Sequence, residues 1–581
     1  MSGRKNSTCG EFVMSIQTRT GGAAYAQPPS EAASTIRAEV SALSRTRLVQ
    51  IALAAAGALL VDPRAALARV RAPSLAALSV RNVGRRYDGD RRLFASVSPG
   101  VRGRDRASIR FELDRPATVR LEALRTALRR RTTVWQTEQE LTAGRHRIWW
   151  KPDEKLPVGT YVMRLTVDDG KGNRKTYGGR RPATASRSTA PVVRVLGVEA
   201  SFDKRSYAPG EPVALTVHAD CERLTLQFLA CGMEPEYTDR VDEMRGHPVG
   251  PALSYGWKRK RSKPWTIALT APSWQSGVYA AKLTTEDGRM GFAPLILRPA
   301  AIGTARQAVI MPTNTWQAYN FADADGDGWG DTWYAGGSPS VRLDRPYRHR
   351  GTPPWFRRSD VPFLKFVRQT GKTPDFLADD DLEAFPNGDE LRRLYDLVVF
   401  PGHSEYITQQ AYDAVQRFRD LGGRLIFLSA NNFFWRVDKR GDSMRRGKLW
   451  RELGRPESAL LGVQYRANDD GSRQGVYTIL DTAAAPWLFD GTGLQNGSTL
   501  GDMVGGYGIE IDMVTPYSPP GTRILARIPD LFGPGLHGEM SYYETPAGAR
   551  VFSAGSLDFG GSITFQPVWR MLENLWRHMT T

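Results

Sequence analysis

Tyr395–Pro401, YDLVVFP, is a near-continuous apolar run, and the segments after it leave few folds open to the chain. Gln409–Leu421 places Ala411, Val415, Phe418 and Leu421 on one helical face, Gly422 and Gly423 stop the helix, and Arg424–Ser429, RLIFLS, is apolar again. A strand buried on both faces reads this way, and two such runs joined by one amphipathic helix make a β-α-β unit of an open parallel sheet. Ala308–Met311 adds a further strand, and Val361–Thr370 a helix that ends at Gly371. Beyond Gly462 the chain turns β-rich, and PVWRMLENLWRHM closes it as a terminal helix. Ligands of open parallel sheets gather at the carboxyl ends of the strands. Three unusual loops fall there, Thr313–Asn320, Gly402–Tyr406 (GHSEY) and Ala430–Arg436 (ANNFFWR), so the sequence predicts that they converge.

Upstream the texture differs. SIRFELD, TVRLEAL, HRIWWKP and GTYVMRLTVDD alternate apolar with polar residues between Gly, Pro and Asp punctuation, the pattern of a β-sandwich. A second set begins at Val192 and ends near Pro299, and both sets close on a similar phrase, VGTYVMRL and SGVYAAKL. The expected organisation is therefore two Ig-like β-sandwiches, residues 80–190 and 192–300, followed by an α/β domain over 301–581.

Leu48–Val61, LVQIALAAAGALLV, follows Arg45 and Arg47 and precedes the small residues Ala66-Leu67-Ala68. That is a signal-peptide pattern, too short for a comfortable membrane span, so residues 1–68 are read as a long n-region and signal, and the chain as secreted or held at the cell envelope. A buried alanine-rich helix or a retained anchor is the competing reading. The net charge of +18 comes from 79 Lys and Arg against 61 Asp and Glu, spread along the chain, with no nucleic-acid module among them. Cell-envelope association fits such a charge better than nucleic acid does. Of three cysteines only Cys221 and Cys231 lie beyond the signal, as a disulfide or as two buried thiols. Oligomeric state is left open, a homo-oligomer included.

Within Met311–Tyr334, Asp323, Asp325 and Asp327 alternate with small residues, Gly326 and Gly328 let the backbone curl, and Asp331 comes three residues later. The start resembles a calcium loop without its closing glutamate, and oxygen-rich loops favour Ca²⁺. A solvated acidic turn is the simpler alternative.

GHSEY puts His403, Glu405 and Tyr406 on one strand-to-helix turn, where a carboxylate and an imidazole serve as metal ligand or general base; helix capping and edge packing would use the same residues. Asn431 and Asn432 are amides among aromatics, suited to orienting a carbonyl. Class I glutamine amidotransferases use a similar sheet but need a cysteine at an elbow, and none follows Cys231. Gly555-Ser556 lacks the spacing of a serine elbow, H-E-x-x-H is absent, and seven scattered histidines do not make a zinc centre.

NTWQAYN, DFLADDDLEAF, YDLVVFPGHSEYIT, the helix ending in two glycines, LIFLSANNFFWR and SYYETPAGARVFSAGS stand in order and register. Together they resemble the C-terminal catalytic region of the N,N-dimethylformamidase large subunit, across most of Ala301–Thr581, with the preceding sandwich matching from Ser276. The resemblance implies an iron held by two tyrosines and a glutamate. The glutamate falls on Glu405, one tyrosine on Tyr319 and, by spacing, the other on Tyr279. It puts the family's histidine on His403, an asparagine on Asn431 and a second acidic residue on Glu544. Hard Fe(III) suits phenolate and carboxylate oxygens and, as a Lewis acid, polarises an amide carbonyl. Ser404 replaces the family's proline, Asn432 its glycine, and the aspartate loop is an addition. The expectation is an exported iron-dependent hydrolase of amide C–N bonds in a small-molecule substrate other than dimethylformamide, with His403 and Glu544 moving protons and Asn431 orienting substrate. The alternative is a secreted, catalytically silent protein that binds an envelope polysaccharide and is braced by calcium.

Overall fold

The computed structural model describes residues 71–126, 131–181, 189–234, 242–334 and 338–581. The signal-like segment Leu48–Val61 lies outside them. Among the described residues no helix is long and apolar enough to cross a membrane. The chain is β-rich and multidomain, built from several sheets.

The first unit packs a three-stranded sheet (Leu75–Asn82, Ala107–Leu113, Gly144–Trp150) and a larger sheet centred on Ala117–Arg125 and Gly159–Asp168 around one core. Alternation drives it: Val119, Leu121 and Ala123 point inward from one strand, and Tyr161, Met163, Leu165 and Val167 from its neighbour. Val192–Val195, expected to open the second unit, pairs instead with Gly159–Asp168 and Phe94–Val97 of the first. The second unit starts at Val198. Its sheets, of three and five strands, enclose Tyr207, Leu215, Leu226, Trp257 and Tyr279. Cys221 and Cys231 are free buried thiols.

A nine-stranded sheet organises the third unit. Its parallel half runs Asp375–Ala378, Gln307–Met311, Leu397–Phe400, Arg424–Phe427 and Arg550–Ser553 in space, which in chain order is second, first, third, fourth, fifth. Strand residues alternate between two cores. Val309, Met311, Val399 and Ile426 face helices Val361–Gln369 and Val568–Thr580, whereas Ala308, Ile310, Val398 and Leu425 face helix Gln409–Asp420. That last helix starts on the Thr408 hydroxyl, which accepts from Ala411 N, and ends before Gly422 at φ 86°. Past Arg550–Ser553 the sheet continues antiparallel through Gly538–Glu544 and Arg523–Ile528. Thr313–Asn320, expected as a loop, holds a short helix, Thr313–Ala318, with Tyr319 at its carboxyl end.

Candidate active site at the strand-order reversal

Strands Gln307–Met311 and Leu397–Phe400 are neighbours, yet the chain leaves them for opposite sides of the sheet. Such a reversal opens a crevice at the carboxyl ends of the strands. Helix Thr313–Ala318 delivers Tyr319 to it, the turn after Phe400 delivers His403 and Glu405, and the turn after Phe427 delivers Asn431. Strand Glu510–Met513, paired with Gln464–Asn468, adds Glu510. All five side chains are buried.

The Tyr319 hydroxyl donates to Glu405 Oε2 and lies 3.2 Å from His403 Nε2. His403 Nε2 is in turn 3.4 Å from Glu405 Oε2 and 3.7 Å from Glu510 Oε2. Its Nδ1 sits 2.9 Å from the Ala430 carbonyl, which can only accept, so Nδ1 carries a proton. Burial works against a charged imidazole here. The carboxylates of Glu510 and Glu405 and the Ala430 carbonyl outweigh it and push the pKa up to about 9. Burial, then Glu405 and Glu510, drive the Tyr319 phenol well above its ordinary range. The phenol, the Glu405 carboxylate and the imidazole are mutually close, and Glu510 reaches the group through His403; the Tyr319 and Glu405 oxygens are the hard donors a ferric ion would take.

The surrounding backbone is fixed and partly strained. Glu405 N donates to Thr315 Oγ1 at 3.0 Å, and Ser404 N donates to Asn432 Oδ1 at 3.0 Å. Asn431 and Phe433 hold left-handed backbones, φ 54° and 57°, a conformation costly for side-chain-bearing residues and often retained at functional sites. Asn431 N donates to Asp512 Oδ1 at 2.8 Å, while its buried Oδ1 has no hydrogen-bond partner among the described residues. Burial pushes the Asp512 carboxyl up to about 7.

Two expected site residues lie elsewhere. Tyr279 sits in the core of the second sandwich against Trp274, its hydroxyl donating to the Gln275 carbonyl at 2.7 Å. Tyr161, at the matching place in the first sandwich, donates to the Pro157 carbonyl at 2.5 Å, also four residues upstream. The shared geometry marks Tyr279 as a packing residue of its sandwich and corrects its assignment as an iron ligand. Glu544 pairs in register with Arg550, at the start of Arg550–Ser553, whereas the crevice lies at the far end of that parallel strand. There it accepts from Tyr542 at 2.5 Å and lies 3.9 Å from His578. The antiparallel turn of strand Gly538–Glu544 therefore carries Glu544 to the wrong end of the sheet, and Glu510 is the second acid that reaches His403. Glu510 has a local signature: in Ile509–Met513, IEIDM, two acids alternate with isoleucines inside a strand, an arrangement that buries charge.

Carboxylate oxygens of Asp323, Asp325 and Asp327 lie within 4.8 Å of one another. Asp331 is not in that group; it accepts from Ala324 N at 2.9 Å. Asp323 accepts from the N–H groups of Gly326, Asp327 and Gly328, and burial followed by Asp327 pushes its carboxyl up to about 8. The loop docks on the first sandwich: Arg91 donates to the carbonyls of Asp325 and Gly326 at 2.9 Å, and Thr126 to that of Gly328. A side chain on Gly328, at φ 92°, would collide with Val162.

Residues 244–573, more than half of the chain, match the family model for the N,N-dimethylformamidase beta subunit-like C-terminal region. The chain belongs to that family. Among its relatives, the N,N-dimethylformamidase beta subunit of Paracoccus aminophilus is 23% identical over 318 residues, covering 45% of this chain and 41% of the relative. The protein of that name from an Alcaligenes species is 23% identical over 303 residues, covering 42% and 40%. The chain thus spans about two fifths of the length of these N,N-dimethylformamidase beta subunits. Among solved structures, a Salmonella alpha-2-macroglobulin reacted with methylamine matches 39% of the chain and 17% of its own, at 8% identity and a TM-score of 0.20, too low to bear on fold or function. Tyr319, His403, Glu405, Asn431 and Glu510 all fall inside the N,N-dimethylformamidase beta subunit-like region.

Proposed function

We propose that the protein hydrolyses the C–N bond of amides. The observation that carries this reading is the meeting of Tyr319, His403 and Glu405 in one buried group, with Glu510 behind them, at the strand-order reversal. Tyr319 and Glu405 would hold a ferric ion, with His403 and Glu510 beside it. When bound, such an ion supplies Lewis acidity toward an amide carbonyl. Asn431, whose buried carboxamide oxygen has no other partner among the described residues, orients an amide N–H. His403, held by the Ala430 carbonyl through Nδ1, keeps Nε2 turned toward the reacting group and passes a proton to the leaving nitrogen. Glu510 stabilises the charged imidazole, and the proton released by the attacking water returns to His403 Nε2 as the cycle closes. Burial of the whole group keeps bulk water from competing for these protons.

With this activity we propose a finer architecture, two Ig-like sandwiches ahead of a domain with the sheet of a class I glutamine amidotransferase. Export directed by Leu48–Val61 is proposed with it, as is calcium bound by Asp323, Asp325 and Asp327, where it would brace the loop that docks on the first sandwich. The relatives' names describe a beta subunit; assembly with a second kind of subunit is proposed on that ground.

The test is spectroscopic and kinetic. Protein purified with iron should absorb in the visible through tyrosinate-to-iron charge transfer and release amine from amides. Tyr319→Phe and Glu405→Gln should each remove both signals. Visible absorption and amine release that both persist unchanged after either substitution would refute the ligand set.

A further inference from the structure

A hollow of about 180 Å³ adjoins Tyr319, lined by Tyr319, Phe321, Tyr334, Pro353, Pro354 and Trp355. Tyr334 meets the Tyr319 ring edge-on at 5.0 Å, and Phe321 meets Tyr334 edge-on at 6.1 Å. Phe321, Tyr334 and Trp355 are all half-buried. Rings arranged edge to face offer a further ring both faces and edges to pack against. An apolar cavity of ~150 Å³ takes up one benzene molecule. The hollow therefore has room for one aromatic ring, and not for a stretch of polymer.

Trp355 is set there at a conformational cost. Its backbone is left-handed, φ 63°, which a bulky residue avoids unless the surroundings impose it. A π-helical turn, Phe356–Asp360, comes immediately after it, a feature frequent at functional sites. The indole packs against two clusters, one holding Tyr319 and Tyr406, the other Ala430, Ile509 and Leu557, of which Ala430 and Ile509 adjoin Asn431 and Glu510 in the chain. Trp355 thus spans the site from its phenol side to its Asn431 and Glu510 side. Thr352 also lines the hollow, and its buried hydroxyl has no hydrogen-bond partner among the described residues. Asn320, Arg348 and His349 line it as well, so polar groups stand among the rings, as the amide end of a ring-bearing substrate requires.

From this geometry we infer that the preferred substrates are amides carrying one aromatic ring, seated in the hollow beneath Trp355. The inference rests on the amide-hydrolase reading and names the substrate class for the same site. For an N-aryl amide the C–N bond breaks, the acyl carbon gains a C–O bond from water, and the nitrogen takes the proton, giving a carboxylic acid and an aryl amine.

Equilibrium dialysis of the full iron-loaded chain against acetanilide and acetamide, paired with amine release from both, tests it. Aromatic packing predicts that acetanilide binds about tenfold tighter than acetamide or better, and that Phe321→Ala and Trp355→Leu each weaken acetanilide by about fivefold while leaving acetamide within about twofold. Phe321→Ala stands on its own if Trp355→Leu does not fold. Equal affinity for the two amides, or unchanged acetanilide binding in a folded variant, overturns the inference. The two readings fail separately. Hydrolysis with no aryl preference keeps the amidase and discards the pocket; acetanilide bound in a Phe321-dependent way without hydrolysis of any amide keeps the pocket and discards the amidase.

Discussion

Glu510 Oε2 lies 3.7 Å from His403 Nε2, although the two residues are distant in the chain and only Glu510 belongs to a strand. Glu510 is in addition the largest of the influences that hold the His403 imidazole in its charged form against burial. Removing its charge should impair proton handling and leave the fold in place, because glutamine keeps the shape. Glu510→Gln is expected to lower kcat by ~10²-fold or more, the usual range for loss of a positioned acid or base, with KM for an amide changed little. Steady-state kinetics beside a melting curve check it, and a kcat within about threefold of wild type would remove Glu510 from the mechanism.

Tyr279 and Tyr319 should separate cleanly. The Tyr279 hydroxyl bonds a local carbonyl of its own sandwich, so Tyr279→Phe is expected to cost about 1 kcal/mol of stability, as for one buried hydrogen bond, and to leave iron content and amide turnover unchanged. Tyr161→Phe should behave alike for the same reason. Loss of visible absorption in Tyr279→Phe would return this residue to the ligand set.

The elements legible in the sequence are those whose signals act locally. Tyr395–Pro401, Gln409–Leu421 and Arg424–Ser429 can be placed because apolar spacing, capping residues and the two glycines all act within a few residues. Loops at the carboxyl ends of such strands must share one edge, which is why the sequence alone brings Tyr319, His403 and Glu405 together. Glu544 escapes such reasoning because the five residues between it and Arg550 fix a hairpin but not how it joins the sheet: that Arg550–Ser553 pairs parallel with Arg424–Phe427, which leaves Glu544 at the end away from the crevice, is set by tertiary pairing. Glu510 depends on a strand partner far upstream, Gln464–Asn468. Val192–Val195 misleads because a last strand that returns to pair with Phe94–Val97 looks, by composition, like the first strand of the next unit.

The aspartate loop should respond to calcium. Three carboxylates within 4.8 Å repel one another, and burial deepens the penalty, as the raised Asp323 and Asp327 carboxyls reflect. A divalent cation that binds the folded loop alone would add about 2.7 kcal/mol at a hundred times its Kd. Millimolar calcium is therefore expected to raise Tm by several degrees. Asp327→Asn retains an oxygen for the Trp329 N–H, bonded at 2.7 Å, while removing one charge. That variant should melt at least as high as wild type without calcium and gain much less from adding it. Identical calcium responses in the two proteins would mean a bare turn held by backbone N–H groups.

His218 should make the fold acid-sensitive. Its ring is buried between the sandwiches near Tyr87, neither nitrogen has a hydrogen-bond partner among the described residues, and burial followed by repulsion from Arg194 lowers its pKa to about 4. An unfolded histidine titrates near about 6.5. Between those values the unfolded chain binds a proton that the folded chain refuses, so this contribution to stability is complete above about pH 6.5 and is lost progressively as pH falls to about 4. Its upper size is on the order of 3 kcal/mol. Asp360, Asp379 and Asp512, each pushed up to about 7 by burial, act in the opposite sense: the folded state holds their protons first, which favours it as pH falls below about 7. Wild-type stability alone would mix the two, so the informative quantity is the difference between wild type and His218→Leu. Urea unfolding at about pH 7 and about pH 4.5 should show the variant losing less stability than wild type between the two conditions, by about 1–3 kcal/mol. An equal loss in both proteins would mean that His218 takes up a proton in the folded state as readily as in the unfolded chain.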